Sequence, residues 1–272
     1  MTTDTVTDKD RADAATDDPE GAAFFDVDRT LIAGASALRL ARPFRRHGLV
    51  TRRDQARAAM LQLGFMLKGA GDAGIERFTA SAKELIGGWD QQEVQDLIAT
   101  ELERHVHPTV FKEAIERIDM HHKQGQPVYA VSATMREIVE PLAELLGLEG
   151  AVASEMEVVD GKFTGNIVRH CYGQGKADRL VEFAAERGID LTRSSAYSDS
   201  ISDEHFLRAV GRPYAVNPDK ELRKIAEAEG WGILFFRTRV KAPLHHHRAA
   251  RASLVVALAA VVLGGRRRRR KR

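Results

Sequence analysis

The 272-residue sequence predicts an α/β protein: a doubly wound parallel sheet carrying an inserted helical domain. Short apolar runs at residues 22–25, 128–131, 195–197, 214–216 and 231–236 have the length and composition of buried strands. The later runs alternate with helical patterns, the order that builds a parallel sheet with helices on both faces. Residues 36–120 lie between the first and second runs and show helical spacing with no strand alternation, so they read as an insert.

The elements follow in chain order. Residues 1–20 are rich in Asp, Thr and Ala, poor in large apolar residues, and read as a disordered acidic tail. Ala22–Phe25 opens the sheet and runs into Asp26, Asp28, Thr30 and a turn of small residues, Ala33–Ser36. In the insert, Phe78, Ala82, Leu85 and Ile86, then Val94, Leu97 and Ile98, recur at three and four spacings, with Gly87-Gly88 and Gly69–Gly74 as punctuation. The core is expected over residues 21–35 and 121–237, with 36–120 as the insert. Val128–Val131 is a strand, and a helix follows from about Met135 to Leu146. Residues 151–170 alternate around Asp160-Gly161, a hairpin signal. Helices are expected at 176–187, 203–210 and 220–229.

Charge is unevenly placed. The acidic tail has a net charge of −5 and residues 266–272 one of +7, while the part between them is neutral. That neutrality argues against nucleic-acid binding as the main function. A single cysteine, Cys171, excludes an intrachain disulfide and fits a reducing cytoplasm. No signal peptide is visible at the N-terminus.

Four polar clusters stand where strands end, and ligands of parallel sheets gather at carboxyl ends. Asp26 and Asp28 follow the first strand. An isolated Asp-x-Asp is often a turn, but a carboxylate at a strand end is a fixed group at the mouth of the sheet. Ser132 follows the second strand, where a hydroxyl and main-chain N–H groups at a helix start suit a phosphate. An N-cap serine is the plainer account. Lys176 opens a helix after Gly173–Gly175, where a cation opposes the helix dipole. It reads either as a solvated surface lysine or as the group that holds a phosphate beside the carboxylate at the first strand's end. Asp199 and Asp203 form the fourth cluster. Carboxylates from two strand ends suit Mg²⁺, which prefers oxygen ligands and keeps several waters. Asp203 alone reads as a helix cap. The order of the four clusters, each at a strand–helix junction, is more specific than any one of them.

At these residues the chain resembles the haloacid dehalogenase superfamily, subfamily IB, in the branch of the phosphoserine phosphatases. The resemblance covers Ala22 to Phe236 and rests on Phe25–Leu31, Val131–Ala133, the hairpin with Asp160–Gly165, Gly175-Lys176, Tyr197–Ser200 and Val216–Lys220. It implies an α/β core with a helical cap and a Mg²⁺-dependent phosphomonoester hydrolase acting on a small phosphorylated metabolite. Asp26 would attack phosphorus and form an aspartyl-phosphate. Asp28 would protonate the leaving alcohol and then activate water. The metal would sit on Asp26, the Asp28 carbonyl and Asp199. Ser132, Lys176 and Ser202 would bind the phosphoryl group, with Asp203, Ala133 and Thr30 in support. Phosphoserine phosphatases carry a glutamate shortly after the first motif, whereas Ala35 occupies that place here, which argues against phosphoserine as substrate. A phosphotransferase with the same intermediate is the alternative, and a non-catalytic membrane-associated protein with the same fold is a third reading.

Leu254–Leu263 is an apolar run of ten, short of the about 20 residues a membrane span needs. With its basic flanks, residues 248–272 suit either attachment to the anionic, cytoplasmic face of a membrane or a short helix packed on the core. His245–His247 reads as an exposed segment. His105, His107, His121 and His122 are expected at the surface, and Trp89 and Trp231 in packing.

Overall fold

A computed structural model describes residues 20–51, 53, 83 and 85–240. Among them, seven strands form one sheet in the order β4-β3-β2-β1-β5-β6-β7. The strands are β1 Ala23–Phe25, β2 Val128–Met135, β3 Gly150–Val159, β4 Lys162–Arg169, β5 Ser195–Ser198, β6 Arg212–Val216 and β7 Gly232–Leu234. All neighbours are parallel except the hairpin β3–β4. The described helices are α1 Ser36–Arg46, α2 Gln91–His105, α3 Lys112–Lys123, α4 Arg136–Leu146, α5 Gln174–Arg187, α6 Glu204–Arg208 and α7 Lys220–Glu229. The expected doubly wound sheet is thus present, with one antiparallel strand added at its edge.

The sheet is apolar on both faces, as a parallel sheet covered twice must be. Ala23, Phe25, Val128 and Ala130 face one core with Leu40, Phe44, Val94, Ile98, Val139 and Leu142 from α1, α2 and α4. Ala22, Phe24, Tyr129 and Val131 face the other with Leu180, Phe206, Leu222 and Ala226 from α5, α6 and α7. Residue alternation along β1 and β2 therefore assigns each side chain to one of two cores. Trp89 and Trp231 pack against these two cores, as expected.

The chain leaves the sheet and returns to it at one place. Ile32 and Val110 form an antiparallel bridge, and the Ala33 N–H donates to the Thr109 carbonyl at 2.7 Å. The α3 helix then lies under the sheet, with Ile118 in the core and His121 edge-on to Phe25. The hairpin docks on the insert as well: the Gly88 N–H donates to the Phe163 carbonyl and the Phe163 N–H to the Trp89 carbonyl. Asp160 (φ 50) and Gly161 (φ 75) make the hairpin turn, the left-handed pair that its two-residue loop demands. At Gly165 a Cβ would lie 2.5 Å from the Lys83 Cα, so only glycine allows this approach.

Three expectations change. The strand expected to stop at Val131 runs to Met135, because β2 bulges: Ser132 pairs with Ala153 and Met135 with Ser154, leaving Ala133 and Thr134 outside the ladder. His121 is buried and hydrogen-bonded, not at the surface, with Nδ1 2.7 Å from Gln126 Oε1 and Nε2 2.7 Å from the Tyr197 hydroxyl. His107 is buried too, in the single 3₁₀ turn where the insert rejoins the core. The acidic tail, Phe78, Ala82, His245–His247 and the apolar run 254–263 with its basic end lie outside the described residues. Among the described residues no helix is long and apolar enough to cross a membrane.

Candidate active site

The strand order reverses between β1 and β5, since β2 and β3 wind to one side of β1 and β5 to β7 to the other. Such a switch point opens a crevice at the carboxyl ends of its two strands. Asp26 directly follows β1 and Asp199 directly follows β5. The strands are locked in register there, with Phe25 opposite Tyr197 and the Asp26 N–H donating to the Tyr197 carbonyl at 2.9 Å.

After β1 the chain turns tightly. The Val27 carbonyl accepts from the N–H groups of Leu31 and Ile32 at 2.9 and 3.1 Å. The turn carries Asp28 round to the start of α1, where its Oδ1 accepts the Ser36 N–H at 2.9 Å. Ala35, at the N-cap position, has no side-chain acceptor, so Asp28 meets this orphan N–H in its place. Burial pushes the Asp28 carboxyl above the ordinary range, against the pull of the Ser36 bonds.

Lys176 sits in the first turn of α5 and is buried, not solvated. Its Nζ donates to Asp26 Oδ1 and to Asp203 Oδ2, both at 2.6 Å, and lies 4.8 Å from the centre of the Phe206 ring. Burial alone would depress the ammonium; Asp203 and Asp26 outweigh it and hold the group charged. Asp203 therefore does not cap the next helix. Its Oδ2 also accepts the Ser198 hydroxyl at 2.6 Å, and charge-assisted bonds of this kind outweigh a cap.

Negative charge exceeds its buried compensation. Burial pushes the Asp26 carboxyl up against the pull of Lys176, with Asp203 and Asp199 adding to the rise. Burial also lifts Asp199 to about 6, although Arg29 forms an ion pair with it. A divalent cation between the ends of β1 and β5 would relieve both. The donors fit Mg²⁺: the Asp26 and Asp199 carboxylates and the Asp28 carbonyl are hard oxygen ligands, with water left to complete the shell. Among the described residues no group of three His, Cys, Asp or Glu side chains is placed to hold a metal ion.

Ser132 is buried on β2 and accepts the Thr134 N–H at 3.1 Å through its Oγ. It does not start a helix, since α4 begins four residues later at Arg136. The bulge, not a helix N-terminus, presents Ala133 at the surface here. Ser202 lies in the 3₁₀ turn after β5, its hydroxyl 3.1 Å from the Ser200 Oγ. Thr30 is fully buried, and its hydroxyl has no hydrogen-bond partner among the described residues.

Sequence reasoning missed Ser198, Ser36 and Asp219. Asp219 belongs to a segment that offered no chemistry when read alone. Its N–H donates to the Asp199 carbonyl at 2.9 Å, its Oδ2 accepts the Ile201 N–H at 2.8 Å, and its Oδ1 caps α7 through the Leu222 N–H at 2.8 Å. An acid following a strand and Asn-Pro is a readable cap signal. Its grip on the Asp199 loop is visible only in three dimensions.

Residues 23–208 match the model of the haloacid dehalogenase-like hydrolases. A protein of Streptomyces azureus named for inhibition of morphological differentiation is 43% identical over 82% of this chain and 81% of its own. A probable phosphatase of Mycobacterium tuberculosis is 42% identical over 82% of this chain and 79% of its own. A phosphoserine phosphatase solved with an analogue of the phospho-aspartyl intermediate shares the fold, with a TM-score of 0.56 at 22% identity over 81% of this chain and 95% of that one. The chain belongs to the haloacid dehalogenase-like hydrolase family and stands among its phosphatases.

Proposed function

We propose that the chain is a Mg²⁺-dependent phosphomonoester hydrolase that acts through an aspartyl-phosphate on Asp26. The observation that carries this reading is Lys176, buried and bridging Asp26 to Asp203 at the switch point. Lys176 holds Asp26 in place through its Oδ1. An Asp26 carboxylate oxygen bonds to phosphorus while the ester P–O bond breaks, and Asp28 gives its proton to the departing alkoxide. Asp28 then takes a proton from water as the water oxygen bonds to phosphorus. The Asp26–phosphorus bond breaks, releasing phosphate and restoring the carboxylate. The raised Asp28 carboxyl suits the acid half of this cycle. Bound Mg²⁺ would offset the repulsion between carboxylate and phosphate and favour ionised Asp26. Lys176, Ser132 and the Ala133 main chain would hold the phosphoryl oxygens, with Ser202 at the margin.

We assign the cap to residues 33–109, between the Ile32–Val110 bridge ends, in place of the expected boundary at 120, because α3 packs under the sheet. The substrate is a small phosphate ester, and Ala35, standing where phosphoserine phosphatases carry an acid, argues against phosphoserine. The test is phosphate release from an aryl phosphate by the metal-loaded protein and by Asp26→Asn. The variant should lose activity by a factor of about 10³ or more while keeping its thermal transition. Retained turnover in the variant would overturn the mechanism.

A further inference from the structure

We propose that Arg29 is a displaceable stand-in for the divalent cation: its guanidinium holds Asp199 in the metal-free protein and gives way when the metal binds. The inference rests on the Mg²⁺ reading above and goes beyond it, to the residue that sets the metal's affinity.

The four carboxylates of the site are not served alike. Asp26 and Asp203 share Lys176, whose side chain is only 2% exposed, and Asp28 is held by the Ser36 N–H. Those two partners belong to the scaffold and have nowhere else to go. Asp199 is almost as buried, with a side chain 6% exposed, but its ion-pair partner is Arg29, whose side chain is 50% exposed. A buried acid is thus compensated by a cation that stands half in water.

The backbone places it there. Arg29 has φ 65, a left-handed conformation that side-chain-bearing residues other than Asn and Asp seldom adopt. Its N–H is tied to the Gly34 carbonyl at 3.2 Å, so the turn fixes the start of the side chain across the gap from β1 to β5. The guanidinium meets Asp199 Oδ2, on the carboxylate expected to hold the metal. A divalent cation on that carboxylate repels the guanidinium. Because half of Arg29 is already hydrated, its release is cheap, whereas release of Lys176 would strand two buried charges. The exchange of one cation for another keeps Asp199 compensated in both states.

The experiment uses the full chain stripped of metal and titrated calorimetrically with Mg²⁺. Arg29→Gln removes the charge and should bind Mg²⁺ about three- to tenfold more tightly than wild type, the range of a half-exposed ion pair. Arg29→Asn, which tolerates the same φ, is the second variant and should show the same gain. Arg29→Lys, which keeps the charge and loses the fork, should fall between. Equal or weaker Mg²⁺ binding in both Arg29→Gln and Arg29→Asn would overturn the stand-in while leaving the metal reading intact. Absence of Mg²⁺ binding by the wild type would overturn the metal reading and this inference with it.

Discussion

Strand β5 carries two buried polar networks that differ in kind. At its carboxyl end Lys176 joins Asp26, Asp203 and Ser198. One residue back from Ser198, Tyr197 joins His121 and Gln126 under the sheet. The first network is charged, and its acids exceed its buried cations. The second is uncharged, and both ring nitrogens of His121 are hydrogen-bonded. Burial also pushes the His121 ring below its ordinary pKa, which keeps it neutral, and the Gln126 bond only partly opposes this. A fully satisfied neutral network contributes order and little else. One with unbalanced charge is costly to bury and is retained where that imbalance serves chemistry.

Removing the centre of each network sharpens the contrast. Lys176→Met leaves Asp26 and Asp203 facing each other in the core. Loss of one partner of a buried pair costs about 3–5 kcal/mol, a large fraction of the total for a domain of ordinary stability. Urea unfolding of the variant should show that loss, and phosphatase activity should fall to background. A cost below about 1 kcal/mol, the value of a surface pair, would mean that Lys176 is not the structural centre of the site.

The neutral network should break more gently, and only in acid. The folded pKa of His121 lies below its ordinary 6.5. Below about pH 6.5 the unfolded chain binds a proton at this ring that the folded chain does not. Stability therefore falls as pH drops through that value and is unaffected above it. His121→Gln removes the titration, so its unfolding free energy should depend less on pH between about 7 and 5 than that of the wild type. At pH 8 the variant should lose only about 1–2 kcal/mol, from hydrogen bonds remade imperfectly, and should keep its activity. Parallel pH curves for the two proteins would refute this account.

The same contrast explains what was legible in the sequence. Asp26, Lys176 and Asp199 stand beside apolar strands or glycine-marked helix starts, local patterns that fix their position before any contact is known. His121 also left a signal: it lies seven residues after Ala114 and three after Ile118, on the apolar face of α3. Reading it as a surface residue gave its chemistry more weight than its phase. The bulge at Ala133 and Thr134 left none, because it depends on how β2 meets β3. Asp203 looked like a cap because caps are local, and Lys176, 27 residues away, is what takes its side chain. Arg29 lies inside the first motif and has no task readable there, since its partner Asp199 follows another strand.

Asp219 gives the smallest effect and the finest test, since it serves the scaffold and the charged site together. Its two carboxylate oxygens have separate duties: Oδ1 accepts from Glu221 and Leu222 at the start of α7, and Oδ2 from Ile201 in the loop that carries Asp199 and Asp203. Asparagine has one acceptor oxygen and caps a helix about as well as aspartate. Asp219→Asn should therefore keep α7 capped, lose the Ile201 bond and unfold within about 0.5 kcal/mol of wild type. Asp219→Ala loses both and should cost about 1 kcal/mol. If the oxygen facing Ile201 positions the loop for the metal, both variants should weaken Mg²⁺ binding equally, despite their different stabilities. Mg²⁺ affinity that tracks stability instead would make Asp219 a helix cap and nothing more.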